Sequence, residues 1–252
     1  MQLPNMKLKL NNKSLVYMQI FFVMVMLWLR DVLHFPSAIT YVTDAIMVLL
    51  VFFYLFKKSK LKILKDVSPQ YIIVVLIVLF MLLGAVINCV RPLLMIWSLR
   101  NNLRFFLFFF LCVDLLDQFD VDAIIKFFKC FFGANFLMCT IQYFAFGLSA
   151  DYLGGFFGTT RGCNGYLNVF LCVICAISIA DFIAGKSGLG LLLLYLGASL
   201  YIAIIAELKV FYIELIIMVA FVIVMSKPSV KTIVIGVVFV LGFVLGGIAL
   251  FI

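Results

Sequence analysis

The sequence predicts an all-α, polytopic membrane protein with about nine transmembrane helices and a cytoplasmic amino terminus. Of its 252 residues, 67% are apolar and 12% are charged, and the mean hydropathy is +1.30. A soluble domain carries about 25% charged residues, so most of this protein's surface must face lipid. The apolar runs are long enough to cross a hydrocarbon core of about 30 Å, and they lack the alternation of a membrane β-barrel. We therefore treat residues 1–252 as a single integral membrane domain.

Nine apolar segments predict the spans. We place them at residues 15–33, 38–56, 70–90, 103–117, 123–148, 164–183, 189–206, 210–226 and 231–252. The first follows three lysines, as a signal peptide would, but no small-residue cleavage site follows Trp28. We therefore expect an uncleaved anchor. The last contains Gly242 and Gly246, whose G-x-x-x-G spacing favours close helix packing.

The basic residues divide by type between the two predicted faces. If nine spans alternate, thirteen of the fourteen lysines lie on one face, which the positive-inside rule makes cytoplasmic. Lys209 lies on the external face together with every arginine, namely Arg30, Arg91, Arg100, Arg104 and Arg161. The topology rule accepts either residue type, whereas the guanidinium fork binds phosphate or carboxylate through two parallel hydrogen bonds. We interpret the arginines as groups that bind an anionic ligand; anchoring of helix ends at lipid headgroups is the alternative.

The segment RPLLMIWSLRNNLRFF contains three of these arginines. Pro92, directly after Arg91, ends the third span or begins the next element. Arg100 and Arg104 are four residues apart, so they share a helix face, which we place at the start of the fourth span. That spacing suits two phosphates, with Asn101 as a further donor nearby.

The fifth predicted span carries a polar stripe. Asn135, Cys139 and Gln142 are spaced four and three residues apart and therefore lie on one helix face. Such stripes usually make hydrogen bonds between helices. We expect this structural role, and the lining of a cavity is the alternative.

The stretch DYLGGFFGTTRGCNGYLNVF interrupts the apolar sequence at residues 151–170. It has neither the phosphate-binding G-x-x-x-x-G-K-[ST] pattern nor a preceding strand, which excludes a P-loop and a dinucleotide fingerprint. Its glycines allow the backbone to approach another group closely or to re-enter the protein. We predict an outward-facing loop that contacts a ligand, with Arg161 and Asn164 among its binding residues; a plain external turn is the alternative.

Acidic residues near the external face include candidates for a general base. Asp44 and Glu214 lie about one turn inside their spans, where an unpaired carboxylate costs about 2.5 kcal/mol or more. We expect each to pair with an external arginine or to be protonated. Glu207 lies beside Lys209 in a short connection. Asp31, Asp44, Glu207 and Glu214 could each serve as the base, and the sequence does not choose among them; we take Glu207 and Asp44 as the candidates.

The single histidine and the cysteines predict no further chemistry. His34 lies near the external face, where we expect a structural role. Cys172 and Cys175 form the one C-x-x-C pair among the seven cysteines, and the positions of all seven in or beside spans predict packing rather than disulfides or a metal site.

Four segments carry a resemblance to a known family. In order along about residues 70–225 they are WSLRNNLRFFLFFF, IQYFAFG, DYLGGFFGTTRGCNGYLN and AELKVFYIELII. Their order and spacing resemble the O-antigen polymerase/ligase superfamily, whose polymerases are called Wzy-type. Its members are multi-spanning glycosyltransferases of the bacterial inner membrane. The resemblance implies an enzyme that takes a glycan from undecaprenyl diphosphate at the periplasmic face and transfers it to another carrier-linked glycan or to lipid A core.

The resemblance also implies roles for individual residues. Arg100 and Arg104 would lie in the family's arginine segment, Arg161 beside its loop, and Lys209 where members often carry arginine, all holding the donor diphosphate. Members act without a metal ion, so no metal or cofactor is expected. This sequence departs from the family pattern in two ways. Lys209 carries a point charge where members often have the guanidinium fork of arginine, and family members are longer chains. We therefore expect a carboxy-terminally truncated chain that lacks acceptor-binding or catalytic groups.

The sequence leaves several functional alternatives open. The sequence does not separate a polymerase from a ligase. A transporter or flippase would show internal repeats and broken helices near the midplane, and no repeat relates the two halves; a structural scaffold would not need segregated arginines. The expected partners are the lipid bilayer, the undecaprenyl-diphosphate-linked glycan, a chain-length regulator and a flippase, without nucleic acid.

Overall fold

The computed structural model describes residues 12–57 and 69–226, and every regular element in these ranges is helical. The eight α-helices of the described ranges are α1 (Asn12–Asp31), α2 (Tyr41–Lys57), α3 (Pro69–Ile87), α4 (Pro92–Leu115), α5 (Gln118–Phe146), α6 (Cys163–Ile183), α7 (Leu189–Ile205) and α8 (Lys209–Ser226). Short 3₁₀ turns at Ser37–Thr40, Ala150–Tyr152 and Gly155–Phe157 precede α2 and α6.

Five of the described segments are long and apolar enough to cross a membrane. They are Asn12–Asp31, Ser37–Tyr54, Pro92–Leu115, Gln118–Phe146 and Cys163–Ile183. Two shorter apolar helices cover Ile72–Ile87 and Leu189–Ile205. Residues 12–57 and 69–226 are therefore all-helical and suited to a membrane. The predicted span at 231–252, with its two glycines, and most of the predicted cytoplasmic lysines lie outside the described residues.

Most helix boundaries lie close to the predicted ones, but α4 begins much earlier. The sequence predicted a span at residues 103–117, whereas α4 starts at Pro92. Proline suits the first helical turn because its fixed φ is helical and its missing N–H would have no partner there. Arg91 is the residue that caps this helix, with φ −57° and ψ 133°. Arg100 and Arg104 consequently lie in the interior of α4 rather than at its start.

A reciprocal pair of aspartates forms the corner between α4 and α5. The Asp120 N–H donates to Asp117 Oδ1 and the Asp117 N–H donates to Asp120 Oδ2, both at 3.0 Å. This is a capping box, which satisfies two backbone donors at the start of α5. Lys13 Nζ of α1 binds Asp117 Oδ2 at 2.7 Å and Asp120 Oδ2 at 2.6 Å, and Tyr17 donates to Asp120 Oδ1 at 3.0 Å. The corner is therefore tied to the beginning of α1.

The described chain forms two compact units, each with its own core. Unit 1 contains residues 12–22 and the described part of 40–121; unit 2 contains residues 23–39 and 122–226. The core of unit 1 is built from Leu15, Val16, Ile46, Met47, Leu50 and Leu111. In unit 2, α6 packs against both α7 and α8. Its core includes Phe131, which contacts Phe157 and Phe170 with ring centroids 5.9 and 5.5 Å apart.

Candidate functional site

The segment between α5 and α6 folds back into unit 2. Leu153 is fully buried and Phe157 is 6% exposed, and Gly154, Gly155 and Gly158 are buried as well. The first half of the stretch that the sequence predicted as an outward-facing loop is thus a re-entrant segment, residues 150–160. Asp151 and Tyr152 at its beginning are exposed, and so is the stretch from Thr160 to Gly162 at its end.

The polar stripe of α5 binds the backbone of this re-entrant segment. Gln142 Oε1 accepts the N–H of Gly155 at 2.7 Å, and Gln142 Nε2 donates to the Gly155 carbonyl at 3.0 Å. Asn135 Oδ1 accepts the N–H of Phe156 at 2.7 Å. Both side chains are buried, and buried backbone groups without partners are costly. The expected structural role of the stripe is confirmed, with loop backbone as the partner instead of a neighbouring helix.

The glycines of the segment make room for the protein's own side chains. A Cβ atom on Gly155, which has φ +62°, would lie 2.2 Å from Asn135 Oδ1. A Cβ atom on Gly158, with φ +105°, would lie 2.5 Å from Asp31 Oδ2. The sequence allowed two interpretations of these glycines. Re-entry into the protein explains Gly155 and Gly158, and no ligand is needed to explain them.

Asp31, at the end of α1, anchors the exposed end of the segment. Its Oδ2 accepts the N–H groups of Thr159 and Thr160 at 3.1 and 3.3 Å and the Thr160 hydroxyl at 3.1 Å. Arg30 Nε donates to Asp31 Oδ1 at 2.7 Å, and Arg30 Nη2 donates to Thr160 Oγ1 at 3.2 Å. Arg30 thus neutralises a carboxylate that is only 3% exposed. Sequence spacing gave no sign of this role, because the two partners are about 130 residues apart.

Arg161 and Asn164 follow directly at the start of α6. The Arg161 side chain is 81% exposed, and its Nε lies 3.7 Å from Asp151 Oδ2. Such an exposed ion pair contributes at most about 1 kcal/mol, so the guanidinium remains available to a ligand. Asn164 Nδ2 donates to Asp151 Oδ1 at 3.3 Å and to the Ala206 carbonyl at 3.5 Å. Asn164 therefore places the start of α6 beside the connection between α7 and α8.

That connection contains two further candidate residues, Glu207 and Lys209. Glu207 closes the end of α7 with φ +51°, a left-handed conformation that costs a non-glycine residue about 1–2 kcal/mol. Both side chains belong to exposed residues, and neither forms an ion pair with any residue in the described ranges. The Asn164 bond to Ala206 brings Arg161, Glu207 and Lys209 to one end of unit 2, which we name the unit 2 cationic end.

In unit 1, Arg100 and Arg104 converge on one carboxylate. Arg100 Nη2 donates to Asp44 Oδ2, and Arg104 Nη1 donates to Asp44 Oδ1 at 2.7 Å. The expectation that Asp44 pairs with an arginine is confirmed. Both oxygens of Asp44 are engaged, whereas the Glu207 carboxylate has no ion pair among the described residues. The two guanidinium side chains remain 33% and 38% exposed.

Aromatic rings support this pair, and Arg91 lies away from it. The Arg100 guanidinium lies over the Trp97 ring at 4.6 Å and the Tyr41 ring at 5.9 Å, which favours the charged group through cation–π attraction. Arg91 precedes Arg100 by nine residues, which in a helix corresponds to about 13.5 Å along the axis and half a turn around it. The structure therefore does not bring Arg91 to the Arg100–Arg104 pair.

Glu214 has no arginine partner in the described part of the chain. Its Oε2 accepts a hydrogen bond from Asn168 Nδ2 at 2.5 Å and one from the Cys172 thiol at 3.4 Å. Among residues 12–57 and 69–226, no group of three or more His, Cys, Asp or Glu side chains is placed to hold a metal ion. All seven cysteines are free thiols, and His34 adopts φ +54° in the turn after α1.

Comparison of the chain with protein-family models, with curated proteins and with solved structures gave no match. The functional conclusion therefore depends on the residues and their geometry.

Proposed function

We propose that this chain is a membrane glycosyltransferase of the O-antigen polymerase/ligase type, which polymerises undecaprenyl-diphosphate-linked repeat units at the periplasmic face of the bacterial inner membrane. The observation that carries the proposal is the convergence of Arg100 and Arg104 on the Asp44 carboxylate. Two guanidinium groups that bind a carboxylate are also suited to bind phosphate oxygens. Asp44 would keep both guanidinium groups in place until phosphate oxygens replace its own.

The distribution of cations suits an enzyme with two anionic substrates. A polymerase handles a donor and an acceptor, and each carries a lipid diphosphate. Each unit contributes candidate cations from its described residues: Arg100 and Arg104 in unit 1, and Arg161 with Lys209 in unit 2. We assign one lipid diphosphate to each group, with Asn164 contributing to the second.

The reaction requires a base and a stabilised leaving group. A hydroxyl of the acceptor glycan attacks the anomeric carbon of the donor, and the bond from that carbon to the diphosphate oxygen breaks. The bonding electrons leave with undecaprenyl diphosphate, whose growing charge is stabilised by fixed cations. Glu207 accepts the hydroxyl proton.

We further propose nine spans with the amino terminus in the cytoplasm. Contacts within unit 1 support alternating helices: Lys13 at the start of α1 binds Asp117 at the end of α4, and Asp44 near the start of α2 binds Arg104 in α4. In a background without native cysteines, single cysteines at positions 101, 160 and 207 should react with an impermeant reagent from outside. A cysteine at position 186 should react only after the membrane is opened. The reverse pattern would overturn the orientation.

Binding of a lipid diphosphate tests the arginine pair directly. The double variant Arg100→Lys with Arg104→Lys keeps both charges but loses the forks, and we expect its affinity for undecaprenyl diphosphate in nanodiscs to fall tenfold or more. Arg91→Lys is the matched control, because it makes the same change on the opposite face of α4. Equal affinity of the double variant and the wild type would refute the site.

Deletion of the gene separates the related activities. Accumulation of single repeat units on the lipid carrier would support a polymerase. Long, finished chains that are not attached to lipid A core would instead identify a ligase, and repeat units retained on the cytoplasmic leaflet would identify a flippase.

A further inference from the structure

Unit 2 contains a carboxylate whose charge has no partner among the described residues. Glu214 lies in α8, an apolar helix in which Lys209 is the only other charged residue. Its contacts are the Asn168 amide at 2.5 Å and the Cys172 thiol at 3.4 Å, and neither carries a positive charge. A carboxylate without a cationic partner costs free energy where apolar helices pack together. Ionisable residues in such places usually mark ion or proton sites.

The amide oxygen of Asn168 is a second polar atom without a partner. Asn168 is 9% exposed, and its Oδ1 is buried without a hydrogen-bond donor. The Nδ2 atom of the same amide already donates to Glu214, so Oδ1 and the carboxylate belong to one cluster. A buried carbonyl oxygen costs free energy unless a hydrogen-bond donor or a cation contacts it. A cation would therefore satisfy both neighbouring groups.

We infer that Glu214 and Asn168 form a binding site for an alkali-metal cation. Carboxylate and amide oxygens are hard ligands of the kind that such ions prefer. One carboxylate matches one positive charge, which favours a monovalent ion over the divalent ions that several carboxylates bind. Asn164 is partly exposed and lies one helical turn before Asn168. We expect the cation to reach the site past Asn164, from the unit 2 cationic end.

Thermal unfolding in nanodiscs tests the site without any assay of enzymatic activity. The whole chain is heated in NaCl, in KCl or in N-methyl-D-glucamine chloride at one ionic strength and one pH. With the cation at about ten times its Kd, we expect Tm to rise by about 3–5 °C over the organic cation. Glu214→Gln keeps the shape and a hydrogen bond to Asn168 but removes the charge, and its Tm should be the same in all three salts.

Matched variants separate cation binding from general packing. Asp181→Asn makes the same change at a carboxylate of unit 2 that Lys129 already neutralises at 2.5 Å. It should lower Tm in every salt and keep the difference between sodium or potassium and the organic cation. Asn168→Ser replaces the amide by a shorter hydroxyl group and should reduce the difference. A wild-type Tm that is equal in all three salts would overturn the inference, and so would a difference that persists in Glu214→Gln.

Discussion

The side chain of Gln142 binds both backbone polar groups of Gly155. The Gly155 N–H donates to Gln142 Oε1 at 2.7 Å, and Gln142 Nε2 donates to the Gly155 carbonyl at 3.0 Å. One amide thereby replaces the two hydrogen bonds that a helix or strand would have supplied. This pairing allows a non-helical segment to lie inside a bundle of apolar helices, where unpaired backbone groups are not tolerated.

Loss of the Gln142 amide should therefore destabilise unit 2 strongly. Gln142→Leu keeps a similar volume but leaves the N–H and C=O of Gly155 buried without partners. At about 1–3 kcal/mol for each group, we expect a loss of about 2–6 kcal/mol in the free energy of unfolding, measured by denaturation in detergent. Thr140→Val is the control on the same helix, because the Thr140 hydroxyl bonds only to the Phe136 carbonyl one turn earlier. A Gln142→Leu protein as stable as Thr140→Val would contradict the assigned role.

The close approach at Gly155 predicts the effect of adding a single methyl group. Gly155→Ala would place a Cβ atom 2.2 Å from Asn135 Oδ1 at a backbone φ of +62°. We expect a loss of about 2–4 kcal/mol, from the left-handed conformation and from displacement of Asn135. Gly133→Ala, in α5 with nothing within 4 Å of the added atom, should be neutral or stabilise by up to about 1 kcal/mol. Equal stability of the two variants would show that the segment is not held as described.

Glu207 should show opposite effects on stability and activity. Glu207→Gly removes the cost of a left-handed glutamate and should raise the free energy of unfolding by about 1 kcal/mol. Both Glu207→Gly and Glu207→Gln should lower glycan polymerisation by about 10²-fold or more if Glu207 is the base. Polymer length in a complemented deletion strain measures the activity. Normal polymer from Glu207→Gln would exclude this residue as the base, and Asp44 would then be tested.

The Asp117 corner predicts a dependence of stability on pH. The hydrogen bond from Lys13 Nζ, aided by the Asp120 backbone N–H, holds the pKa of Asp117 below its ordinary value. A carboxylate with a lowered folded-state pKa stabilises the fold above its unfolded pKa of about 4 and loses that contribution as pH falls through the folded value. We expect the wild-type Tm to fall below about pH 4, and Asp117→Asn to start lower at pH 7 and change less. Parallel pH curves for the two proteins would refute this assignment.

Patterns that depend on local spacing were predictable. Helices α6, α7 and α8 begin and end within one or two residues of their predicted limits, because runs of apolar residues between polar connections determine them locally. The shared face of Arg100 and Arg104 and the stripe formed by Asn135, Cys139 and Gln142 likewise follow from the helical period. The start of α4 at Pro92 was missed, because proline is equally compatible with ending one helix and beginning another.

The sequence by itself determined the helical class, the suitability for a membrane and the helix faces on which polar residues lie. Only the tertiary structure decided which groups meet: Asp31 with Thr160, Asp44 with Arg100 and Arg104, and Glu214 with Asn168. The physical reason is that helical periodicity follows from backbone geometry within a few residues. Partners across a bundle depend on how helices pack, and the two partners in these contacts are about 46 to 129 residues apart in the chain.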